Sequence, residues 1–212
     1  ASQVFEYDLN TPLFSDYSQK QRLIKLPPGT RINYKPSGPL DFPVGTIIAK
    51  TFYYDADLTD ASSPRQLVET RIMEHRPDGW VGIPYLWNSE QTDAELAIIG
   101  ATVDVSWVHS DGKPRSNSHL VPNLNDCKRC HTDTKMHPLG PKAGNLNRDL
   151  AIHGSQKNQL VHWKNTGMID DLPELSEIPK LAVWNDESTG SVAHRARAYL
   201  EVNCAHCHNP IG

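Results

Sequence analysis

The chain has 212 residues, and its 21 basic and 25 acidic side chains give a net charge of −4 at pH 7. A chain of this length holds one large domain or two small ones, and its slight acidity argues against nucleic acid as a partner. No apolar run reaches the roughly 18 residues that a membrane-spanning helix needs, so we expect no transmembrane segment. The 16 prolines and 13 glycines predict long irregular connections rather than a helical bundle.

The first half of the sequence is typical of β-structure. The segment Thr46–Tyr54 is rich in β-branched and aromatic residues, and Leu67–His75 alternates apolar with polar residues. A Pro-Asp-Gly turn separates the second segment from Trp80–Trp87, which predicts a β-hairpin. The run Ala97–His109, followed by an Asp-Gly pair, repeats this pattern. We therefore expect an antiparallel sheet or sandwich in a β-rich domain at residues 1–120.

After residue 120 the pattern changes to loops and short helices. Ser155 is a candidate cap for a helix that ends near Gly167, and Ser191 can cap a second helix. The apolar face of that second helix comprises Ala193, Ala196, Leu200 and Cys204. The sequence as a whole predicts an α+β fold, in which residues 121–212 form a loop-rich, short-helix cofactor-binding region.

All four cysteines lie in two copies of the motif C-x-x-C-H, at residues 127–131 and 204–208. This motif is the attachment signature of c-type haem, in which two thiols bond to the vinyl groups and the adjoining histidine ligates the iron. The sequence therefore predicts two covalently bound haem c groups. The expected attachment residues are Cys127, Cys130, Cys204 and Cys207, and the expected proximal iron ligands are His131 and His208.

Two other uses of the cysteines stay open. A single C-x-x-C pair can be a thioredoxin-like redox site, and two pairs can bind zinc when the second follows within about 20 residues. Here Cys204 comes 74 residues after Cys130. Neither zinc binding nor thiol redox chemistry requires a histidine directly after both pairs, so haem is the favoured interpretation.

Five segments accompany the two motifs, and a sixth contains the second motif. They are Pro12–Tyr17, Leu26–Thr30, Phe42–Tyr54, Gly140–Asn147, Asn158–Trp163 and Arg195–Pro210. In this order, and over nearly the whole chain, they resemble a family of exported bacterial c-type cytochromes that are mostly described as conserved hypothetical proteins. The resemblance implies haem attachment outside the cytoplasm. Members of that family usually continue beyond the second motif into a segment with a methionine as candidate distal ligand, whereas this sequence stops at Gly212.

The sixth ligand of each iron is expected to be a histidine. His119, His153 and His162 have connections to the first motif that are long enough to reach the far face of a haem. His194 precedes Cys204 by ten residues, about 15 Å of helical rise, so it suits another haem better than its own. These four histidines are the candidate distal ligands.

The expected function is electron transfer by a dihaem cytochrome, periplasmic or at the cell surface after removal of a signal peptide, with redox proteins or extracellular acceptors as partners. The alternative is a peroxidase-like oxidoreductase in which one haem keeps an open position; an electron carrier is favoured over a catalyst. Only four residues follow His208. We therefore expect the sixth ligand of its haem iron to come from upstream in the same chain or from a neighbouring copy. Head-to-tail contacts of that kind predict a homo-oligomer or filament.

Overall fold

The computed structural model describes residues 3–131, 135–152 and 154–208. Within these residues the strands are β1 (Gln3–Glu6), β2 (Gln19–Leu26), β3 (Ile32–Asn33), β4 (Ile47–Asp55), β5 (Arg65–Arg76), β6 (Gly79–Trp87), β7 (Ala94–Leu96), β8 (Ala101–Val108), β9 (Pro114–Val121), β10 (Asp149–Ile152), β11 (Ser155–Asn158) and β12 (Ile169–Asp170). The helices are α1 (Cys127–Cys130), α2 (Ala143–Leu146), α3 (Gln159–Asn165) and α4 (Val192–Asn203), with 3-10 turns at Leu175–Glu177 and Glu187–Thr189.

Six strands form one antiparallel sheet in the order β1-β2-β4-β5-β6-β7. The segments predicted as strands from the sequence form its centre, and the predicted turn joins β5 to β6 as a hairpin in which Arg76 pairs with Gly79. The second predicted hairpin is β8–β9, a separate two-stranded ribbon. The α+β fold class is thereby confirmed. No helix among the described residues is long and apolar enough to cross a membrane.

One face of the large sheet carries the main hydrophobic core. Ile24 and Ile48 of the sheet lie in the same buried cluster as Leu146, Leu160 and Trp163 of the later helices. In addition, β12 pairs in parallel with β3, which joins the second half of the chain to the first. The change in pattern at residue 120 therefore marks a change of secondary structure, whereas residues on both sides of it share one core.

Helix α3 begins later than the sequence analysis expected. Its cap is Asn158, whose side chain accepts hydrogen bonds from the amides of Leu160 and Val161. Ser155 instead begins β11, which pairs with β10. The expectation failed because a local strand pairing was invisible in the sequence. The expected stop at Gly167 is confirmed, with a φ of 69° just after the helix.

Helix α4 begins after Ser191 as predicted, and the Ser191 hydroxyl accepts from the amide of His194. The residue that this helix buries does not lie on the predicted apolar face. Ala198 is the buried residue of this helix, whereas Leu200, on the predicted apolar face, is 55% exposed. The face that leads towards Cys204 is therefore open to solvent.

Candidate cofactor site

Both C-x-x-C-H motifs form a single helical turn. In the first motif the amide of His131 donates to the carbonyl of Cys127 at 3.1 Å, and in the second the amide of His208 donates to the carbonyl of Cys204 at 2.8 Å. All four thiols are free, without disulfide bonds. Each motif thus presents two reduced thiols and one imidazole on a short, locally rigid turn.

The first motif lines a cleft between the loops after β9 and the core-bearing face of the sheet. Cys127, Cys130 and His131 all contribute to its wall. The cleft is open to solvent at its mouth and has a cavity volume of about 160 Å³. Its apolar lining includes Leu9, Ile48, Met73, Met136, Leu139 and Val202.

A hydrogen bond fixes the ring of His131. Its Nδ1 atom lies 2.7 Å from the carbonyl oxygen of His137. Because a carbonyl oxygen only accepts, Nδ1 must carry a proton; in a neutral ring the lone pair would then be on Nε2. Histidines that ligate metals are oriented in this way by a partner at the other ring nitrogen. The bond to His137 therefore fixes the orientation of the His131 ring.

Gly82 allows Cys127 to approach the sheet closely. A Cβ atom at position 82 would lie 2.9 Å from the Sγ and 3.2 Å from the Cβ of Cys127, closer than side-chain atoms pack. The φ of Gly82 is not in the left-handed region, so space rather than backbone conformation requires glycine here. The thiol of Cys127 is seated against the centre of β6 for this reason.

The sheet wall of the cleft carries a row of cations. Arg22 on β2 lies directly opposite Lys50 on β4, and Lys50 lies directly opposite Arg71 on β5. Lys20 is one step along the same face of β2, and all four side chains line the cleft. We call Lys20, Arg22, Lys50 and Arg71 the cationic row. Like charges directly opposite one another in a sheet are destabilising, so this arrangement has a cost.

The aromatic ring of Phe52 and two carboxylates offset part of that cost. Lys50 and Arg71 lie 4.9 and 4.5 Å from the centre of the Phe52 ring, within the range of cation–π attraction. Arg71 donates to the buried carboxylate of Glu69, and Arg22 donates to Asp8 at 2.7 Å. The two arginines are thus paired within the protein.

The two lysines of the row are less well compensated. Burial, followed by the charges of Arg71 and Arg22, lowers the pKa of Lys50 to about 7. Burial and the charge of Arg22 lower the pKa of Lys20 to about 8. Within the part of the chain that the structure describes, no hydrogen-bond acceptor or carboxylate lies in bonding range of Lys50 Nζ. Among the described residues, the Lys50 amine therefore lies in the cleft without an ion pair.

The structure places His119 away from the cleft, in a buried network on β9. Its Nε2 donates to the carboxylate of Glu69 at 2.8 Å, and its Nδ1 lies 3.2 Å from the hydroxyl of Tyr54. Burial alone would raise the pKa of Glu69, but hydrogen bonds from His119 and Arg71 lower it. Both ring nitrogens of His119 are engaged, so in this arrangement it has no lone pair to offer to iron.

The other candidate distal ligands are also separate from the first motif. His162 is partly buried on α3, and His194 is exposed near the start of α4. Neither belongs to the described residues that line the cleft. His153 lies outside the described residues. The cleft lining instead includes the thioether side chains of Met73 and Met136. The sequence analysis named neither as a ligand.

The cysteines of the second motif are exposed to a similar extent as those of the first. Cys204, at the end of α4, is partly buried like Cys127, and Cys207 is exposed like Cys130. His208 is exposed, whereas His131 is partly buried. The side chain of Asn203 accepts from the amide of Phe14 at 2.7 Å, which ties this end of the helix to the loop before β2. The Sγ of Cys207 lies 3.9 Å from the carbonyl oxygen of Arg129. The two motifs, distant in sequence, are therefore neighbours.

The residues around the first motif can be compared with the needs of a haem c group. Among the described residues, no three Cys, His, Asp or Glu side chains converge as a metal site. A haem c site needs two thiols, one imidazole and apolar walls. Cys127, Cys130, His131 and the apolar lining of the cleft meet those needs.

The sequence analysis missed the cationic row and Gly82. A signal for the row was present, since Lys50 occupies a position on β4 that alternates in phase with the core residues Ile48 and Phe52. A lysine that points inward in such a strand indicates a buried charged or polar site.

Comparison of the chain with protein-family models, with curated proteins and with solved structures gives no match in any of the three.

Proposed function

We propose that this protein is a dihaem c-type cytochrome that transfers electrons outside the cytoplasm. The observation that carries the proposal is the meeting of Cys127, Cys130 and His131 in one largely apolar cleft. The orientation of His131 by the carbonyl of His137 supports it. The neighbouring second motif supports a second haem close to the first.

The chain's own residues have three tasks in this proposal. Each thiol adds across one vinyl C=C bond, so that sulfur bonds to the carbon next to the ring and the thiol hydrogen goes to the terminal carbon; no oxidant is needed. His131 and His208 provide proximal nitrogen ligands. The apolar walls exclude water and so influence the potential. The bound iron supplies a one-electron exchange between its ferric and ferrous states.

Covalent haem attachment and the family resemblance support a periplasmic or cell-surface location, with redox proteins or extracellular acceptors as partners. Fractionation tests the location: haem-loaded protein should be recovered from the periplasm or the cell surface. Recovery of the mature, haem-loaded protein mainly from the cytoplasm would contradict this part of the proposal.

Mass spectrometry of the native polypeptide tests the cofactor. The wild-type mass should exceed that of the polypeptide by two haem groups, which should remain through acid-acetone extraction. The pair Cys127→Ser and Cys130→Ser should remove one haem, and the matched pair Cys204→Ser and Cys207→Ser should remove the other. A bare polypeptide that binds zinc would overturn the proposal.

The optical spectrum separates the electron carrier from its alternative. Two low-spin haems in the oxidised protein would support a carrier, because all six iron positions are then filled. A five-coordinate, high-spin fraction that reacts with peroxide would favour the peroxidase-like oxidoreductase. Single replacements of His162, His194, Met73 and Met136 would then identify the side chain whose loss converts one low-spin haem to high spin.

The exposure of His208 makes assembly a part of the proposal. Cys207, His208 and the open face of α4 provide too little cover for a haem on their own, and burial of apolar surface stabilises association. A second copy that covers this face by a head-to-tail contact would produce a ring or filament. Light scattering of the haem-loaded protein should show particles larger than one chain, and a strictly monomeric protein with two low-spin haems would exclude this assembly.

A further inference from the structure

We propose that the cationic row, Lys20, Arg22, Lys50 and Arg71, binds the two propionate carboxylates of the haem attached at Cys127 and Cys130. This inference rests on the proposed function and adds an anion-binding subsite to the cleft. The row is located on the sheet wall, and the attachment residues are on the loop wall of the same cleft.

The charges in the row match two carboxylates in number. Its four cations face two carboxylates from the protein, Asp8 and Glu69. Asp8 is shared with Arg148 at 2.8 Å, and Glu69 is shared with His119. When both lysines are protonated, the row has an excess of two positive charges over these carboxylates, in a protein whose overall charge is −4. Two carboxylates in the cleft would neutralise this excess.

The register of the strands gives the distance across the cleft. Gly82, which contacts Cys127, pairs with Met73, and Met73 pairs with Ile48 on the next strand. Lys50 is two residues beyond Ile48. With strands about 4.8 Å apart and residues about 3.4 Å apart along each strand, the Cα atoms of Gly82 and Lys50 are about 12 Å apart. This separation is of the same order as the width of a porphyrin.

Along this path the sheet wall of the cleft changes from apolar to cationic, which matches the two sides of a haem. Next to the attachment site the facing row is apolar, formed by Ile48, Met73 and Gly82. The following row is cationic. Haem has apolar vinyl groups on one side of the ring and two carboxylates on the other, so an apolar row followed by a cationic row is complementary to it. Carboxylates also bind arginine and lysine through strong charge-assisted hydrogen bonds.

Lys50 is the informative position for a test, because it has no ion pair among the described residues and its replacement leaves no protein carboxylate unpaired. Lys50→Met should keep haem at both motifs but shift the midpoint potential of one haem downwards, since a positive charge near the ring favours the added electron. The matched control is Lys25→Met, on the opposite, exposed face of β2, which should leave both potentials unchanged. Lys50→Arg, which keeps the charge, should stay close to wild type.

The pH profile provides a readout that a purely structural lysine would not affect. An ammonium group that pairs with a propionate stays protonated beyond neutral pH, so the wild-type potential should be constant between pH 6 and about 8. If Lys50 remained unpaired among Arg22, Arg71, Glu69 and Lys20, it would titrate near its pKa of about 7. The midpoint potential of the haem would then change with pH near that value.

The outcomes separate the two proposals. Absence of haem at Cys127 and Cys130 in the wild type would overturn the proposed function, and the propionate subsite with it. Haem at both motifs, with a potential and pH profile that Lys50→Met does not change, would overturn the subsite alone. If Lys50→Met fails to load haem at the first motif while Lys50→Arg loads normally, the need for a cation is supported; failure of both variants would overturn it.

Discussion

The thiol sulfur of Cys207 lies 3.9 Å from the backbone oxygen of Arg129, so the second C-x-x-C-H motif contacts the interior of the first. Arg129 is one of the two residues between Cys127 and Cys130. A haem attached to either motif therefore has the attachment turn of the other motif as its neighbour. For an electron carrier, this proximity means that the charge on one haem influences the other.

The first prediction concerns this coupling. The haem-loaded protein should take up its two electrons at separate midpoint potentials, because the first added electron repels the second across a short, partly desolvated distance. The double replacement Cys204→Ser and Cys207→Ser should remove one of the two reduction steps and shift the midpoint potential of the other. Spectroelectrochemical titration of both proteins provides the measurement. A remaining step that keeps its wild-type potential would show that the two haems are independent.

The second prediction concerns the space at Gly82. Gly82→Ala should reduce haem attachment at the first motif, because the new methyl group would lie 2.9 Å from the Sγ of Cys127. Haem attached at Cys204 and Cys207 is an internal control, since the atoms nearest to the new methyl group belong to Cys127 and Met136. The mass distribution of the purified protein should shift from two haems towards one. Full loading of both motifs in Gly82→Ala would contradict the close seating of Cys127 on β6.

The third prediction concerns the buried network of His119. His119→Phe should lower the free energy of unfolding by about 2 kcal/mol, because it removes a buried hydrogen bond to Glu69 and leaves that carboxylate with Arg71 alone. The spectra of both haems should stay the same, since His119 does not line the cleft. Denaturant unfolding and the optical spectrum of the oxidised protein are the two measurements. Appearance of a high-spin haem would instead identify His119 as a distal ligand.

The parts of this fold that the sequence predicted depend on local patterns. The strands around Thr46–Tyr54 and Leu67–His75 alternate in a period of two, and the hairpin between β5 and β6 follows from its turn residues. The helical turns of the two C-x-x-C-H motifs are local as well, because spacing alone determines which residues share one turn. These features require no knowledge of distant contacts.

The cationic row and the contact of the two motifs could not be predicted in the same way. Arg22, Lys50 and Arg71 are neighbours only because three strands pair in one particular register. The contact between Cys127 and Gly82 likewise depends on how the segment after β9 packs against the centre of β6. Register and loop placement depend on the whole packed structure, so single residues in the sequence carry little information about them.

The last prediction concerns the stability of the chain without haem. In the described cleft, burial and nearby cations lower the pKa of Lys50 to about 7 and that of Lys20 to about 8. In the unfolded chain both lysines keep their ordinary pKa near 10.5. Between pH 7 and 10 the unfolded state therefore binds more protons than the folded state. The free energy of unfolding should rise with pH in this window, by at most about 1.4 kcal/mol per pH unit for each lysine.

Replacement of all four cysteines by serine provides the haem-free chain for this measurement. Denaturant unfolding followed by circular dichroism at several pH values should show the rise, and Lys50→Met in the same background should make it less steep. Lys25→Met should leave the slope as it is, because Lys25 is exposed on the opposite face of β2. In the haem-loaded protein the rise should be smaller, since propionate carboxylates would hold the lysines in their charged form. A haem-free chain whose stability falls or stays constant between pH 7 and 10 would contradict the described environment of Lys50.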